Sequence, residues 1–180
     1  GFGGSCLPKD LNAIRQLARK KGVSTPLFDA VATSNTNQLE EAYLWMESCL
    51  QKSLKDLNVL LLGMSHKTNT STLTQSPGLL LYKRLIADGC KVAAYDPNVE
   101  KDAIKKMAGA QSTDLSLIQS LEALRDFALS EADVVIMVHP TLSIKDCLHI
   151  LRAKPSLPIF DLRGSWRHDI TLPNYFSFFL

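Results

Sequence analysis

The chain has 180 residues, 46% of them hydrophobic and 21% charged, with a formal net charge of +2. That length supports one good core and an appended helical element, and so small a charge argues against nucleic acid as a partner. No apolar run reaches transmembrane length and no basic segment followed by an apolar one marks a secretory leader, so no membrane partner is expected.

The first ten residues, Gly1-Phe2-Gly3-Gly4-Ser5-Cys6-Leu7-Pro8-Lys9-Asp10, combine backbone freedom with a nucleophile. Three glycines in four positions permit angles that a side chain forbids and let a ligand approach the main chain closely. Pro8 suits the first turn of a helix, and the apolar spacing from Leu11 predicts one beginning about there. Cys6 then sits near a helix N-terminus with Lys9 close by, and both favour the thiolate. Asp10, four residues on, can share a face with the sulfur, which makes covalent catalysis plausible. The same residues also suit a flexible glycine tail and a structural thiol.

The first helix is expected to stop at Lys20-Lys21-Gly22, and a second to start with Ser24 or Thr25 as N-cap and Pro26 in its first turn. Apolar residues then recur without a breaker over 27–57, far beyond the mean helix of about 11–12 residues. Such a helix joins lobes or builds an oligomer interface; a plain core helix fits the pattern equally. At Asn58 the pattern changes, placing a boundary between a helical segment, 1–57, and an alternating one, 58–180.

In the second segment, strands are expected at 59–62, 91–95, 134–138 and 159–162, with an edge strand at 175–180. Helices are expected at 77–87, 99–107, 114–129 and 144–152. The fold class is therefore α/β, a doubly wound, mostly parallel sheet. In such sheets ligands bind where strands end, which selects 63–67, Asp96-Pro97, His139-Pro140 and Asp161-Leu162-Arg163. The fingerprint G-x-G-x-x-G is absent after the first strand, where only Gly63 fits, so no nicotinamide cofactor is expected there by that mechanism. The four cysteines, Cys6, Cys49, Cys90 and Cys147, show neither metal-ligand nor disulfide-scaffold spacing, and a reducing cytoplasm is the default compartment.

Nine of the first ten residues match G-F-G-G-S-C-F-P-K-D, with Leu7 in place of the aromatic residue. This resembles the active-site signature of the UDP-glucose/GDP-mannose dehydrogenase family. The loop Gly63 to Pro77 is similar to that family's G-x-x-F-K-x-x-T-D-D-x-R-x-S-P at Gly63, Lys67, Thr70, Ser76 and Pro77. Asp161-Leu162-Arg163 resembles its D-x-R segment. The resemblance implies two successive NAD-dependent oxidations of a sugar primary alcohol to a carboxylate. Cys6 would hold the intermediate, as a thiohemiacetal and then a thioester, and Asp10 would assist the water step. By the same resemblance Phe2, Gly3, His66, Lys67 and Arg163 contact a UDP-sugar, and the long helix forms a homodimer. His66 replaces phenylalanine, Ser71 and Thr72 replace an acidic pair, and Thr74 stands where the family has an arginine that reaches NAD. The family's cofactor lobe precedes the cysteine motif, so these 180 residues are expected neither to hold NAD tightly nor to turn over alone. The alternative is a non-catalytic nucleotide-sugar binding and dimerisation module. Which nucleotide sugar is used stays open.

Overall fold

A computed structural model describes residues 1–108 and 116–178. Two helices come first, α1 (Leu7–Lys20) and α2 (Pro26–Leu50). Strands and helices then alternate: β1 (Asn58–Leu62), α3 (Pro77–Ala87), β2 (Lys91–Tyr95), α4 (Lys101–Ala108) and β3 (Ser116–Leu117). After these come α5 (Leu121–Ser130), β4 (Val134–Met137), α6 (Ile144–Ala153), β5 (Ile159–Asp161) and β6 (Tyr175–Ser177). The strands form one sheet in the order β3-β2-β1-β4-β5-β6, and every pair is parallel. That order belongs to the doubly wound nucleotide-binding architecture, with its switch point between β1 and β4.

Both faces of the central strands are buried, as their unbroken apolar runs require. Val59 and Leu61 pack on one side with α3 residues Leu79, Tyr82 and Leu85. Leu60 and Leu62 pack on the other with Leu124 of α5 and Ile150 and Leu151 of α6. Each such side chain contributes roughly 1.5–3 kcal/mol on burial. The first face would lie bare beyond β4, because α3 and α4 serve the β1-β2-β3 half. The second half of α2 covers it. Tyr43 and Met46 join that core, and the Trp45 ring meets Phe160 edge-on, with centroids 5.3 Å apart.

Two sequence expectations are corrected. The long helix stops at Leu50 rather than continuing to 57, because Gln51 adopts a left-handed conformation with φ 52°. The Glu47 carboxylate then accepts hydrogen bonds from Ser53 Oγ (2.8 Å) and the Leu54 amide (2.9 Å). Leu54 keeps the helical apolar spacing yet reaches the core by a turn, fully buried. The helix expected at 114–129 is replaced over its first part by β3, which pairs with Ala93 and Ala94 of β2; residues 114 and 115 lie outside the described residues. Ser120 then caps α5, accepting from the Ala123 amide. Two residues are too few to show a strand period, so pairing with β2 decided that stretch.

Candidate functional site

The site begins where β1 ends. Gly63 turns the chain with φ 90°, which only glycine adopts without strain. The Met64 and Ser65 amides that follow both donate to Asp96 Oδ2, each at 2.9 Å, from a carboxylate only 3% exposed at the end of β2. Helix α3 stands close against this turn: a Cβ on Gly78 would fall 2.1 Å from the Gly63 carbonyl oxygen. Gly78 thus permits the tight strand–helix approach that the third glycine of the dinucleotide fingerprint permits, fifteen positions beyond Gly63 rather than five. Ser76 caps the helix, accepting from the Leu79 amide and donating to the Met64 carbonyl.

His139, at the end of β4, lies over Gly63. Its Nε2 is 3.1 Å from Ser65 Oγ, 3.2 Å from the Ser65 carbonyl and 3.7 Å from Asp96 Oδ2. Burial pushes this imidazole below the ordinary histidine range, with the Asp96 carboxylate opposing. In a dinucleotide-binding turn the amides after β1 and the next helix N-terminus receive a pyrophosphate. Here an internal carboxylate occupies two of those donors, and a phosphate brought against it would meet like charge. The residues at this switch point therefore do not fit NAD held in that manner.

The opening segment docks onto the loop that follows. Asn35 of α2 brackets Phe2, accepting from its N–H at 2.6 Å and donating to its carbonyl at 3.0 Å. The Gly4 N–H donates to the Thr74 carbonyl at 3.0 Å. A Cβ on Gly3 would lie 2.0 Å from the Gln75 carbonyl oxygen, so a side chain at that position is incompatible with the docking. Cys6 is the N-cap residue of α1, and Pro8 is buried in its first turn. The Asp10 amide donates to the Cys6 carbonyl at 2.9 Å, placing the two residues one helical turn apart. Both side chains are exposed, and Asp10 pairs with Lys9 at 3.3 Å.

A cavity of about 280 Å³ opens between these parts. Phe2, His66 and Arg163, all candidates from the sequence, line it together with Asn35, His139 and Phe178. Gly3 stands behind it, packed against Gln75 and Pro77. Lys67 is exposed and not part of the lining; its carbonyl accepts from Ser65 Oγ and Thr70 Oγ1. Cys6 and Asp10 also lie outside the lining, four and eight residues along the chain from Phe2. Asp161 is buried and meets Arg163 through the Arg163 backbone amide (3.0 Å), while its other oxygen accepts from the Tyr175 hydroxyl (2.5 Å). It is a turn-closing group rather than half of a surface ion pair. Asn35 counts in the sequence only as a position of the long-helix pattern, within a polar run that carries no motif, and the shared role of Asp96, His139 and Gly63 shows only once three strand ends are side by side.

Residues 60–168 match the UDP-glucose/GDP-mannose dehydrogenase family, UDP binding domain, and residues 1–37 match the central domain of the same family. The chain belongs to the UDP-glucose/GDP-mannose dehydrogenase family. Within that family it is similar to the GDP-mannose 6-dehydrogenase of Azotobacter vinelandii, 32% identical over 148 residues that span 76% of this chain and 30% of the relative. The UDP-glucose 6-dehydrogenase of Rickettsia bellii is 32% identical over 97 residues, 54% of this chain and 22% of its own. Among solved structures, a ternary complex of GDP-mannose dehydrogenase from Pseudomonas aeruginosa superposes with a TM-score of 0.71 at 26% identity, over 98% of this chain and 39% of that one. A UDP-glucose dehydrogenase from Pyrobaculum islandicum gives 0.65 at 27% identity, over 76% and 30%. The chain thus spans about 30% of the length of the first of these family relatives. Its sheet is the family's nucleotide-binding sheet, and the opening segment docked on it belongs to the family's central domain.

Proposed function

We propose that these 180 residues are the central and C-terminal part of a nucleotide-sugar dehydrogenase that oxidises a UDP-sugar primary alcohol to a carboxylate in two NAD-dependent steps. Residues 1–57 carry the nucleophile and the association helix, and 58–180 hold the nucleotide sugar. The observation that carries this reading is the cysteine motif, matched at nine of ten positions and packed through Gly3 and Gly4 against the 66–75 loop. Exposed Cys6 is free to add through Sγ to an aldehyde carbon, and then to hold that carbon at the thioester level. Asp10, one turn on, assists the water that cleaves the thioester. Arg163 supplies a planar donor fork for a diphosphate or for sugar hydroxyls, His66 and Phe2 supply ring surfaces, and Lys67, outside the lining, adds an exposed cation next to His66 in the chain. No step is assigned to a cofactor on this sheet, because Asp96 takes the turn amides. All four cysteines are free thiols, which agrees with a cytoplasmic setting, and no helix among the described residues is long and apolar enough to cross a membrane.

Calorimetric titration tests the reading. UDP should bind the chain and NAD far more weakly. Arg163→Ala should weaken UDP by roughly tenfold, the loss expected for a charge-assisted hydrogen bond, and Lys67→Ala should weaken it further. A GDP arm reads the preference between bases. Equal affinity for NAD and UDP, or indifference to both substitutions, rejects the assignment. Nucleotide binding with no covalent capture of an aldehyde substrate by Cys6 leaves the non-catalytic module as the reading.

A further inference from the structure

We infer that Asn35 is a positioning residue for the cysteine-bearing segment, fixing Phe2 and, through Phe2 and Gly4, the backbone that leads into Cys6. Asn35 lies in a polar run of α2, Thr33-Ser34-Asn35-Thr36-Asn37-Gln38, and is half-buried. A polar group so placed destabilises unless it is paired. Its carboxamide is paired on both sides, with Oδ1 accepting from the Phe2 N–H at 2.6 Å and Nδ2 donating to the Phe2 carbonyl at 3.0 Å. It therefore acts as a second peptide group, making one rung of a ladder with the chain. Two antiparallel bonds fix orientation as well as distance, which a single bond does not. An aspartate would keep the acceptor but face a carboxylate toward the Phe2 carbonyl, and an alanine would keep neither contact.

The remaining anchors show what depends on this one. Downstream of Phe2 the segment is held at Gly4, whose N–H meets the Thr74 carbonyl and whose φ of 87° leaves the Cβ space to the His66 ring. It is held again at Pro8, buried in the first turn of α1. Cys6 lies between those points. Its side chain is exposed, and its hydrogen-bond contact among the described residues is Ser5 Oγ at 3.7 Å. The location of the sulfur is thus set by the backbone anchors and not by packing of its own side chain. Without Asn35, the part of the segment upstream of Cys6 keeps, among the described residues, the Gly4 hydrogen bond and the packing of Gly3 against Gln75. The functional meaning of the inference rests on the reading of Cys6 as nucleophile; the geometry does not.

Nuclear magnetic resonance on the 180-residue chain tests it without nucleotide. Asn35→Ala should speed hydrogen exchange at the Gly4 amide by roughly tenfold, the factor that loss of about one net hydrogen bond produces. It should also move or split the Cys6 ¹³Cβ resonance while the amides of Leu61 and Tyr82 keep their protection. Asn35→Asp, which retains one of the two bonds, should fall between wild type and alanine in both readouts. If the alanine chain does not fold, the aspartate variant decides alone by the same criteria. Gly4 exchange and a Cys6 signal unchanged from wild type overturn the inference. So does a loss of protection spread evenly over β1 and α3, which marks a general structural role. UDP titration is a separate measurement: failure there with an Asn35 effect intact rejects the ligand assignment and leaves the positioning role standing.

Discussion

At the scale of single residues, the end of β1 is an electrostatic closure. Asp96 fills the two amides that a phosphate would want, and His139 lies over them as a buried imidazole whose pKa is lowered by desolvation. A histidine with a depressed folded value takes up a proton on unfolding once pH falls below its unfolded value of about 6.5. Its contribution is therefore complete above that value and is lost as pH drops toward the folded one. Urea midpoints measured at about pH 7.5 and about pH 5.5 should fall in the wild type and fall less in His139→Asn. Equal falls in the two chains would assign the acid sensitivity to other groups. The thiols also differ by site. Burial pushes Cys90 up to about 11 and Cys147 up to about 12, so at pH 8 about one Cys90 in a thousand is ionised. Exposed Cys6 should therefore take iodoacetamide first, by roughly tenfold or more over either, in a mass-spectrometric time course.

At the scale of elements, α2 does two jobs along its length. Its second half is part of the sheet's core, and a polar clamp at the α3 terminus holds it there. The Tyr43 hydroxyl donates to Asp88 Oδ2 at 2.6 Å, which raises the tyrosine pKa after desolvation has already done so. Arg84 places its guanidinium 4.7 Å from the Tyr43 ring centroid while bonding Asp88 Oδ1 at 2.7 Å. Tyr43→Phe deletes the one hydrogen bond and keeps the ring, so the expected cost is about 1 kcal/mol, seen as a lower urea midpoint at unchanged slope. An unchanged midpoint would mean that the clamp contributes no net stability. The first half of α2 holds Asn35 toward the cysteine segment and joins α1 through Arg15 and Asp29 at 2.5 Å.

At the scale of the whole molecule, the apolar surface is unevenly spread. Leu17 of α1 is 60% exposed and Leu27 of α2 is 72% exposed, with Phe28 and Val31 exposed nearby in α2. An apolar stripe of this kind on helices is suited to an isologous contact, in which one α2 buries its face against its twin. A dimer is the expected outcome in sedimentation across a concentration series, and Leu27→Glu should weaken it. A clean monomer at high micromolar concentration removes dimerisation through α2 from the reading. The cavity is lined by Phe2, His66 and Arg163 together with Asn35 of α2. Leu27, Phe28 and Val31 are not part of that lining, although Asn35 of the same helix is, so Leu27→Glu tests association apart from ligand binding.

Much of this was legible in the amino-acid order because it depends on local rules. The change at Asn58 from helical to alternating pattern, the apolar run at 59–62 and the glycine after it specify a parallel sheet strand by strand. The cysteine motif was recognisable because it is ten contiguous residues, and Phe2, His66 and Arg163, which line the cavity, lie in or beside motifs. Contacts made across the sheet were not readable. Leu54 keeps a helical spacing that a turn at Gln51 interrupts, and β3 exists because Ala93 and Ala94 offer it a partner. Gly78 replaces a fingerprint glycine from a distance that no fixed spacing anticipates. Asp96, His139 and Asn35 acquire their roles from residues 31 to 74 positions away. Sequence periodicity reports which side of an element is buried; only the packed sheet decides which buried polar group meets which, because hydrogen bonds are satisfied by neighbours in space.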